Sequence, residues 1–388
     1  MSTIFHRPSP TVAQLSARFE DESPFLAVIA KRSYLVAPNG VCTPDPTSPL
    51  VEEPIHDADD PVILEADTDQ YPYKLRTDIV VRGHAYGYGR TSQIEAVILA
   101  SKYRYHILTS GQRQCWLDHD GRLRFTSPAL FERVPLDFRN AYGGHDRAAD
   151  KKYGVSFEDE PELVKAFGDE IDLDACSPFR YPRNPVGKGY LCDATKAAVE
   201  ALELPQLEDP LDPLTPERIV MGDMLRWHRM PIPRAPRWVD FAWYPRVAFF
   251  GIVPISEVFE APPIEVERDL VPDYLGDGRG RLVSSARYEV QNGAPVGLQV
   301  PHLRGGEQVE LHNLHPSQPR WRFTLPRAPK ICTDGREGKL NSTEAVLQTL
   351  LLEPDKDRVT LIWRGCARAL RPYLERERAE MPLFVEWR

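Results

Sequence analysis

The residues best placed to do chemistry are two glycine-rich stretches, a group of histidines and several spaced acids. Gly83-His-Ala-Tyr-Gly87-Tyr-Gly89 and Gly276-Asp-Gly278-Arg-Gly280 have the glycine density of a phosphate cradle. Such a cradle needs a helix amino terminus directly after it, and a P-loop also ends in Gly-Lys-Ser/Thr. Neither stretch has these features, so both are expected to be tight turns at strand ends. His312 and His315, with His302 upstream, would share a face if they lay on a helix. Pro316 follows directly and the local pattern is strand-like, so the imidazoles should diverge. Asp118-His-Asp120-Gly121 begins like a calcium loop, but Ala129 stands where the twelfth-position acid belongs. Asp67-Thr-Asp69 has the acids of a metal-dependent transferase motif without a nucleotide-binding βαβ unit, and is expected to be a solvated acidic loop. No metal and no cofactor is expected.

Covalent catalysis has no visible signature. There is no Gly-x-Ser-x-Gly elbow. Cys42, Cys115, Cys176, Cys192, Cys332 and Cys366 are far apart and form no CxxC, which reads as free thiols in a reducing compartment. A carboxylate pair for glycoside hydrolysis needs only spatial proximity, and 57 acids single out none. Trp227, Trp238, Trp243, Tyr244, Phe249 and Phe250 form a dense aromatic set. Such residues line sugar or peptide grooves, and more often they are core.

The elements that must position these residues are short. The 388 residues include 37 prolines, mostly between short apolar and aromatic runs. Proline lacks a backbone N–H and has a fixed φ, so long helices are nearly excluded. The expected fold is mainly β: two sandwich- or barrel-like halves, residues 1–146 and 237–388, joined by a Pro-rich connector, 147–236, carrying short helices. Phe25–Val36 reads as a strand running into the Pro38-Asn39-Gly40 turn, and the Pro- and acid-rich stretch after it as loop. Asp78–Tyr86 reads as another strand. Gln93–Leu99 with Tyr103–Leu108, and Gln114–Leu117 with Leu123–Phe125, read as hairpins, the second around an Asp-Gly turn. Glu160–Phe167 and Ala194–Glu203 read as short helices. Phe179, Tyr181, Tyr190 and Trp227 argue that the connector is ordered, because solvated linkers rarely carry such aromatics. Later strands are expected at Arg246–Ile252, Arg287–Val290, Gly297–Gln299, Glu307–Leu311 and Trp321–Leu325. Ala345–Leu352 and Val359–Trp363 should pair as a hairpin, and Ala367–Glu380 should be helix.

Composition narrows the classes. Hydrophobic residues make up 42% and charged residues 27%, which are globular values. A net charge of −9 and a pI near 5.7 argue against a nucleic-acid partner, whose phosphates need a basic face. No apolar run reaches the length of a membrane span, and Met1–Glu20 lacks the apolar core of a secretory signal. A cytoplasmic protein is expected.

Several spaced motifs, in order, resemble one family. They are Lys74-Leu-Arg-Thr77-Asp78-Ile-Val-Val-Arg-Gly83-His-Ala85, then Val134-Pro-Leu136-Asp-Phe-Arg-Asn-Ala141-Tyr-Gly143-Gly144. Arg183-Asn184-Pro185-Val-Gly187-Lys-Gly189-Tyr190 and Leu204-Pro205-Gln-Leu-Glu208-Asp-Pro210 follow. Phe323-Thr-Leu325-Pro326 and Val359-Thr-Leu-Ile-Trp363-Arg364 fit the terminal strands, so the match runs from Phe25 to Arg364. The family is a large bacterial group long labelled a domain of unknown function. Its members resemble adaptors, or effector chaperones, of the type VI secretion system, encoded beside a VgrG spike protein and a PAAR-tipped toxin. The resemblance implies a non-enzymatic cytoplasmic adaptor that binds a toxin or its PAAR-bearing segment and delivers it to VgrG. Lys74, Thr77, Asp78, Gly83, Gly143, Gly144, Asn184, Pro185, Gly187, Gly189 and Glu208 read as mostly structural. The glycines suit positive φ or close backbone approach, Asp78 and Asn184 suit turns, and Lys74 with Asp78 suits a buried ion pair. The alternative from another class is a β-scaffold carbohydrate-active enzyme using an Asp/Glu pair.

Overall fold

The computed structural model describes residues 4–5, 9–19, 23–153, 177–192, 196–219, 224–250, 288–335, 338 and 340–388. Strands dominate the described residues, and the mainly β class holds. The main sheet has seven strands: β1 (Val12–Arg18), β2 (Pro24–Val36), β3 (Cys42–Asp45), β4 (Thr77–Val81), β5 (Gln299–Val300), β6 (Val346–Glu353) and β7 (Arg358–Arg368). Their order is β5-β4-β6-β7-β2-β1, with β3 also on β2. β6 and β4 run parallel, and the other neighbours are antiparallel.

Phe25 through Lys31 of β2 are all buried, because both faces of the strand are covered. That is why the sequence shows a continuous apolar run there and not an alternation. On one face Phe25, Ala27, Ile29 and Ile362 pack with Leu50. On the other, Leu26 packs with Tyr373 and Met381. A four-stranded sheet of Ile4–Phe5, Leu383–Glu386, Lys330–Thr333 and Asn341–Thr343 meets β7 at Gly365, where a Cβ would lie 2.1 Å from Thr343 Oγ1 and 2.8 Å from Ile331 Cγ2.

The chain forms two compact units. One takes Met1–His84, Val97–Tyr105 and Pro236–Arg388; the other takes Ala85–Ala96 and His106–Ala235. This differs from the linear division into 1–146, 147–236 and 237–388. Backbone ladders, not chain proximity, set the neighbours: β2 pairs with β7 from Phe25↔Arg368 to Leu35↔Arg358, and β4 pairs with β6. The amino- and carboxy-terminal segments therefore share one sheet. Residues of the expected connector instead build the core of the second unit, where Tyr142, Tyr181, Tyr190, Leu191, Leu204 and Leu214 pack together.

Both expected hairpins form, at Gln93–Ala100 with Tyr103–Ser110 and at Cys115–Leu117 with Leu123–Phe125. The second turns at Gly121 with φ +74°. The expected strand Asp78–Tyr86 breaks at Arg82-Gly83 into β4 and His84–Thr91. The β6–β7 hairpin closes through Pro354–Lys356 and a left-handed Asp357 at φ 51°. The expected strands Arg246–Ile252 and Arg287–Val290 are 3-10 turns over their described residues, at Arg246–Phe250 and Tyr288–Gln291. The expected Gly297–Gln299 is a 3-10 turn at Val296–Leu298 that enters β5 at Gln299. Among the described residues these turns have no ladder mate, and a 3-10 turn satisfies backbone groups locally. Ala367–Glu380 is helical only over Glu375–Glu380, because β7 extends to Arg368 along β2 and Pro372 blocks an earlier start. Ala194–Glu203 forms a helix over Lys196–Glu200. The expected helix Glu160–Phe167, the stretch Gly276–Gly280 and Cys176 lie outside the described residues. Among the described residues no helix is long and apolar enough to cross a membrane.

Candidate functional site

One face of the main sheet carries a buried layer of charge. Lys74, just ahead of β4, places Nζ 2.7 Å from Asp78 Oδ2 and donates to Thr349 Oγ1 at 3.1 Å. Both side chains of the pair are essentially inaccessible, at 2% and 0%. Asp78 also accepts from Asn292 Nδ2 at 2.9 Å and from the Gly293 amide at 3.0 Å. Removing a charge from water is costly unless such partners replace the water. Gln348 completes the cage. A bulge between Leu347 and Thr349 leaves it without a partner in the register, and its side chain takes the Lys74 amide at 3.0 Å and donates to the Tyr71 carbonyl at 3.0 Å. Bulges re-aim side chains in this way. Arg364 closes the cage by donating to the Lys74 carbonyl at 2.9 Å. Thr77 donates to the Leu347 carbonyl at 2.5 Å and accepts from the Leu303 amide at 3.0 Å. Gly83 sits against the β6–β7 turn, with Asp355 Oδ1 3.1 Å from where its Cβ would be.

Asp67 and Asp69 are not the solvated loop that the sequence suggested. They are 2% and 7% exposed. Asp69 Oδ2 accepts from Lys31 Nζ at 2.7 Å, and Asp67 Oδ2 from Arg246 Nη2 at 2.6 Å. Lys31 lies in β2 on the same face as Ile29 and Ser33, so the loop is drawn down by opposite charge. Arg246 is anchored further by the carbonyls of Val290 and Val239, at 2.8 Å each, and its guanidinium lies 3.9 Å from the Phe241 ring centre. The Tyr71 hydroxyl bridges Arg246 and Asp67, and burial raises its pKa well above the ordinary phenol range.

A cavity of about 650 Å³ opens over this face. Its floor is the sheet, including Lys31, Thr349, Leu351, Glu353, Thr360 and Ile362, and its walls include Asp67, Asp69 and Trp238. All of the lining residues belong to the first unit. Sequence reasoning found Lys74 and Asp78 and met Arg364 only as the end of a strand motif, and it missed Lys31, Arg246, Asn292 and Gln348 as members of this layer. The Asn292-Gly293 turn dipeptide was the one local signal available. A Cβ on Gly293 would lie 2.5 Å from Asp67 Oδ2, which explains the glycine.

The remaining motif residues gather in the second unit. Asn184 donates to the carbonyls of Phe138 and Tyr142, at 2.8 and 3.0 Å, and its own carbonyl takes the Gly144 amide at 2.8 Å. Gly143 has φ +150°, and its Cβ would lie 2.1 Å from Asn184 O. Gly187 has no room either, with Asn184 Nδ2 at 2.4 Å. Gly189 pairs with Gly143 in a short parallel ladder beside the half-buried Pro185 turn. Glu208 accepts from Arg113 Nη2 at 2.5 Å and from the Leu214 amide at 2.9 Å. Burial raises its pKa, and Arg113 opposes that rise.

The other chemical candidates resolve into local structure. Asp118, His119 and Asp120 lie close enough to hold an ion. Asp118 Oδ1, however, accepts the amides of Asp120 and Arg122, and Oδ2 accepts from Arg124, so its carboxylate serves the turn. His312 pairs with Glu310, His315 with Asp357, and His302 bonds the Leu347 carbonyl. The imidazoles thus diverge. The five described cysteines are free. Burial pushes the thiols of Cys42 and Cys366 up to about 11, which keeps them protonated near neutrality.

The family model described as an uncharacterized protein conserved in bacteria (DUF2169) matches residues 21–364. No curated protein matches the chain, and no solved structure does.

Proposed function

The chain belongs to this bacterial family, and we propose that it is a non-enzymatic cytoplasmic adaptor of a type VI secretion system. It binds a toxin, or the toxin's PAAR-bearing segment, and loads it on the VgrG spike. The observation that supports this reading is the engagement of the motif residues. Lys74, Asp78, Asn184 and Glu208 are buried, and each bonds partners within the chain. That suits a rigid frame for gripping another polypeptide better than it suits a reagent. Leu130, Leu211 and Ile232 of the second unit are exposed and offer apolar contacts for such a partner. The test is coexpression with the toxin and VgrG encoded nearby, followed by pull-down and a secretion assay. Recovery of a stable complex is expected; no complex, together with undiminished toxin export in the deletion strain, sinks the reading.

One observation favours a second reading, a carbohydrate-active enzyme. Acids including Glu65, Asp67, Asp69 and Glu353 line the cavity. It ranks second because the buried ones are held by Arg246, Lys31 and Lys356, whereas glycoside hydrolysis needs one carboxylic acid with a proton to give. Release of chromophore from nitrophenyl glycosides, abolished by Glu353→Gln, would reverse the ranking.

A further inference from the structure

We propose that the cavity on the Lys31 face of the main sheet binds a small neutral polyhydroxylated ligand, a mono- or disaccharide. This inference stands apart from the adaptor reading, since a stoichiometric carrier and an enzyme could each hold such a site. The 650 Å³ volume falls within the ~300–1,000 Å³ of small-molecule sites.

The register of the sheet lays out the floor. Lys31 lies beside Ile362, which lies beside Thr349. Four residues further along β7, Arg358 lies beside Glu353, itself one step past the Leu352↔Val81 pair next to Arg82. At roughly 3.3 Å per residue, these two polar rows are about 13 Å apart. Leu351 and Thr360 lie between them, and Leu50, Ile362 and Trp238 supply apolar surface.

Charge and hydrogen-bonding capacity select the ligand class. Apart from Glu52 and Glu53, which are exposed to solvent, the charged groups of the lining are neutralised in pairs: Lys31 with Asp69, Asp67 with Arg246, Glu353 with Lys356, Arg82 with Glu65, and Arg358 with Asp45. An ionic ligand would have to break one of these pairs or settle for the exposed Glu52 and Glu53, whose charges water already screens. A neutral ligand meets neither penalty. Hydrogen-bonding capacity remains at both ends. Lys31 Nζ uses two of its three N–H groups, on Pro49 O and Asp69 Oδ2. Among the described residues, neither Asp69 Oδ1 nor Glu353 Oε2 accepts a hydrogen bond, on residues only 7% and 5% exposed. A spare donor beside a spare acceptor matches a hydroxyl, which donates and accepts at once. Hydroxyl pairs spaced along an apolar ring framework are the signature of a sugar.

The test is isothermal titration calorimetry on the full chain. The probes are glucose, N-acetylglucosamine, maltose and diacetylchitobiose, with inorganic phosphate and lysine amide as charged controls. At least one sugar should saturate the protein below about 10 mM while both controls stay silent. Leu351→Trp, which fills the floor, should weaken that sugar at least about tenfold, with folding checked by thermal melting. Glu353→Gln, which removes one acceptor without changing size, provides a second readout if Leu351→Trp fails to fold; it should weaken the same sugar several-fold. No saturation by any of the four sugars, tighter binding of phosphate or lysine amide, or unchanged affinity in the variants overturns the proposal.

Discussion

At the scale of single residues, the Lys74–Asp78 pair governs the frame. Among the described residues Asp78 keeps two neutral donors, Asn292 and Gly293, but one charge partner at contact distance. Replacing Lys74 with Met would leave a buried carboxylate without its counter-charge, a change that costs about 3–5 kcal/mol. Urea denaturation of Lys74→Met should show a loss of that order, and the double variant Lys74→Met with Asp78→Asn should lose less than the sum of its parts. A single-variant loss below about 1 kcal/mol would mean that the pair is not structurally coupled. The Lys31–Asp69 and Arg246–Asp67 pairs follow the same logic, and together they turn an acidic loop into the wall of a cavity.

At the scale of elements, the start of β6 is where several segments meet. The Leu347 amide donates to Leu303 O, and the Leu347 carbonyl accepts from Thr77 and from His302 Nδ1. Burial first, and then the Arg364 charge, depress the His302 pKa below its ordinary 6.5. The folded protein therefore binds this proton more weakly than the unfolded chain does. The stability contribution is complete above about pH 6.5 and is lost as pH falls through the depressed folded value. Melting temperature should decline from pH 6.5 downward, and His302→Gln should flatten that decline; an unchanged slope in the variant would assign the acid sensitivity elsewhere. The glycine-rich turns of the second unit are a different kind of element. Gly143 and Gly187 bring backbone against Asn184 at distances that no side chain permits.

At the scale of the whole molecule, the carboxy-terminal hairpin completes a sheet begun at the amino terminus. β7 lies between β6 and β2, and β4 lies on β6. A fragment of residues 1–146 would lose β7 from one edge of β2 and the Tyr373 and Met381 cover from Leu26, which is fully buried in the intact chain. Expressed alone, it should show no cooperative thermal transition by circular dichroism. A sharp transition in the fragment would restore the linear division into halves.

The sequence by itself determined the class of fold, the main hairpins and the turn chemistry. Those depend on local rules: proline's missing N–H, the alternation and runs of apolar residues, and glycine's tolerance of positive φ. It also pointed to Lys74 with Asp78, through the Lys74-Leu-Arg-Thr77-Asp78 motif at the entry to a strand. Tertiary structure alone decided which strands are neighbours, why the short apolar runs at 246–250 and 288–291 are turns, and that Asp67 and Asp69 are buried. The partners of those acids, Arg246 and Lys31, stand 179 and 38 positions away. Attraction between opposite charges acts through space once burial has removed the water around them, so no spacing in the chain records it.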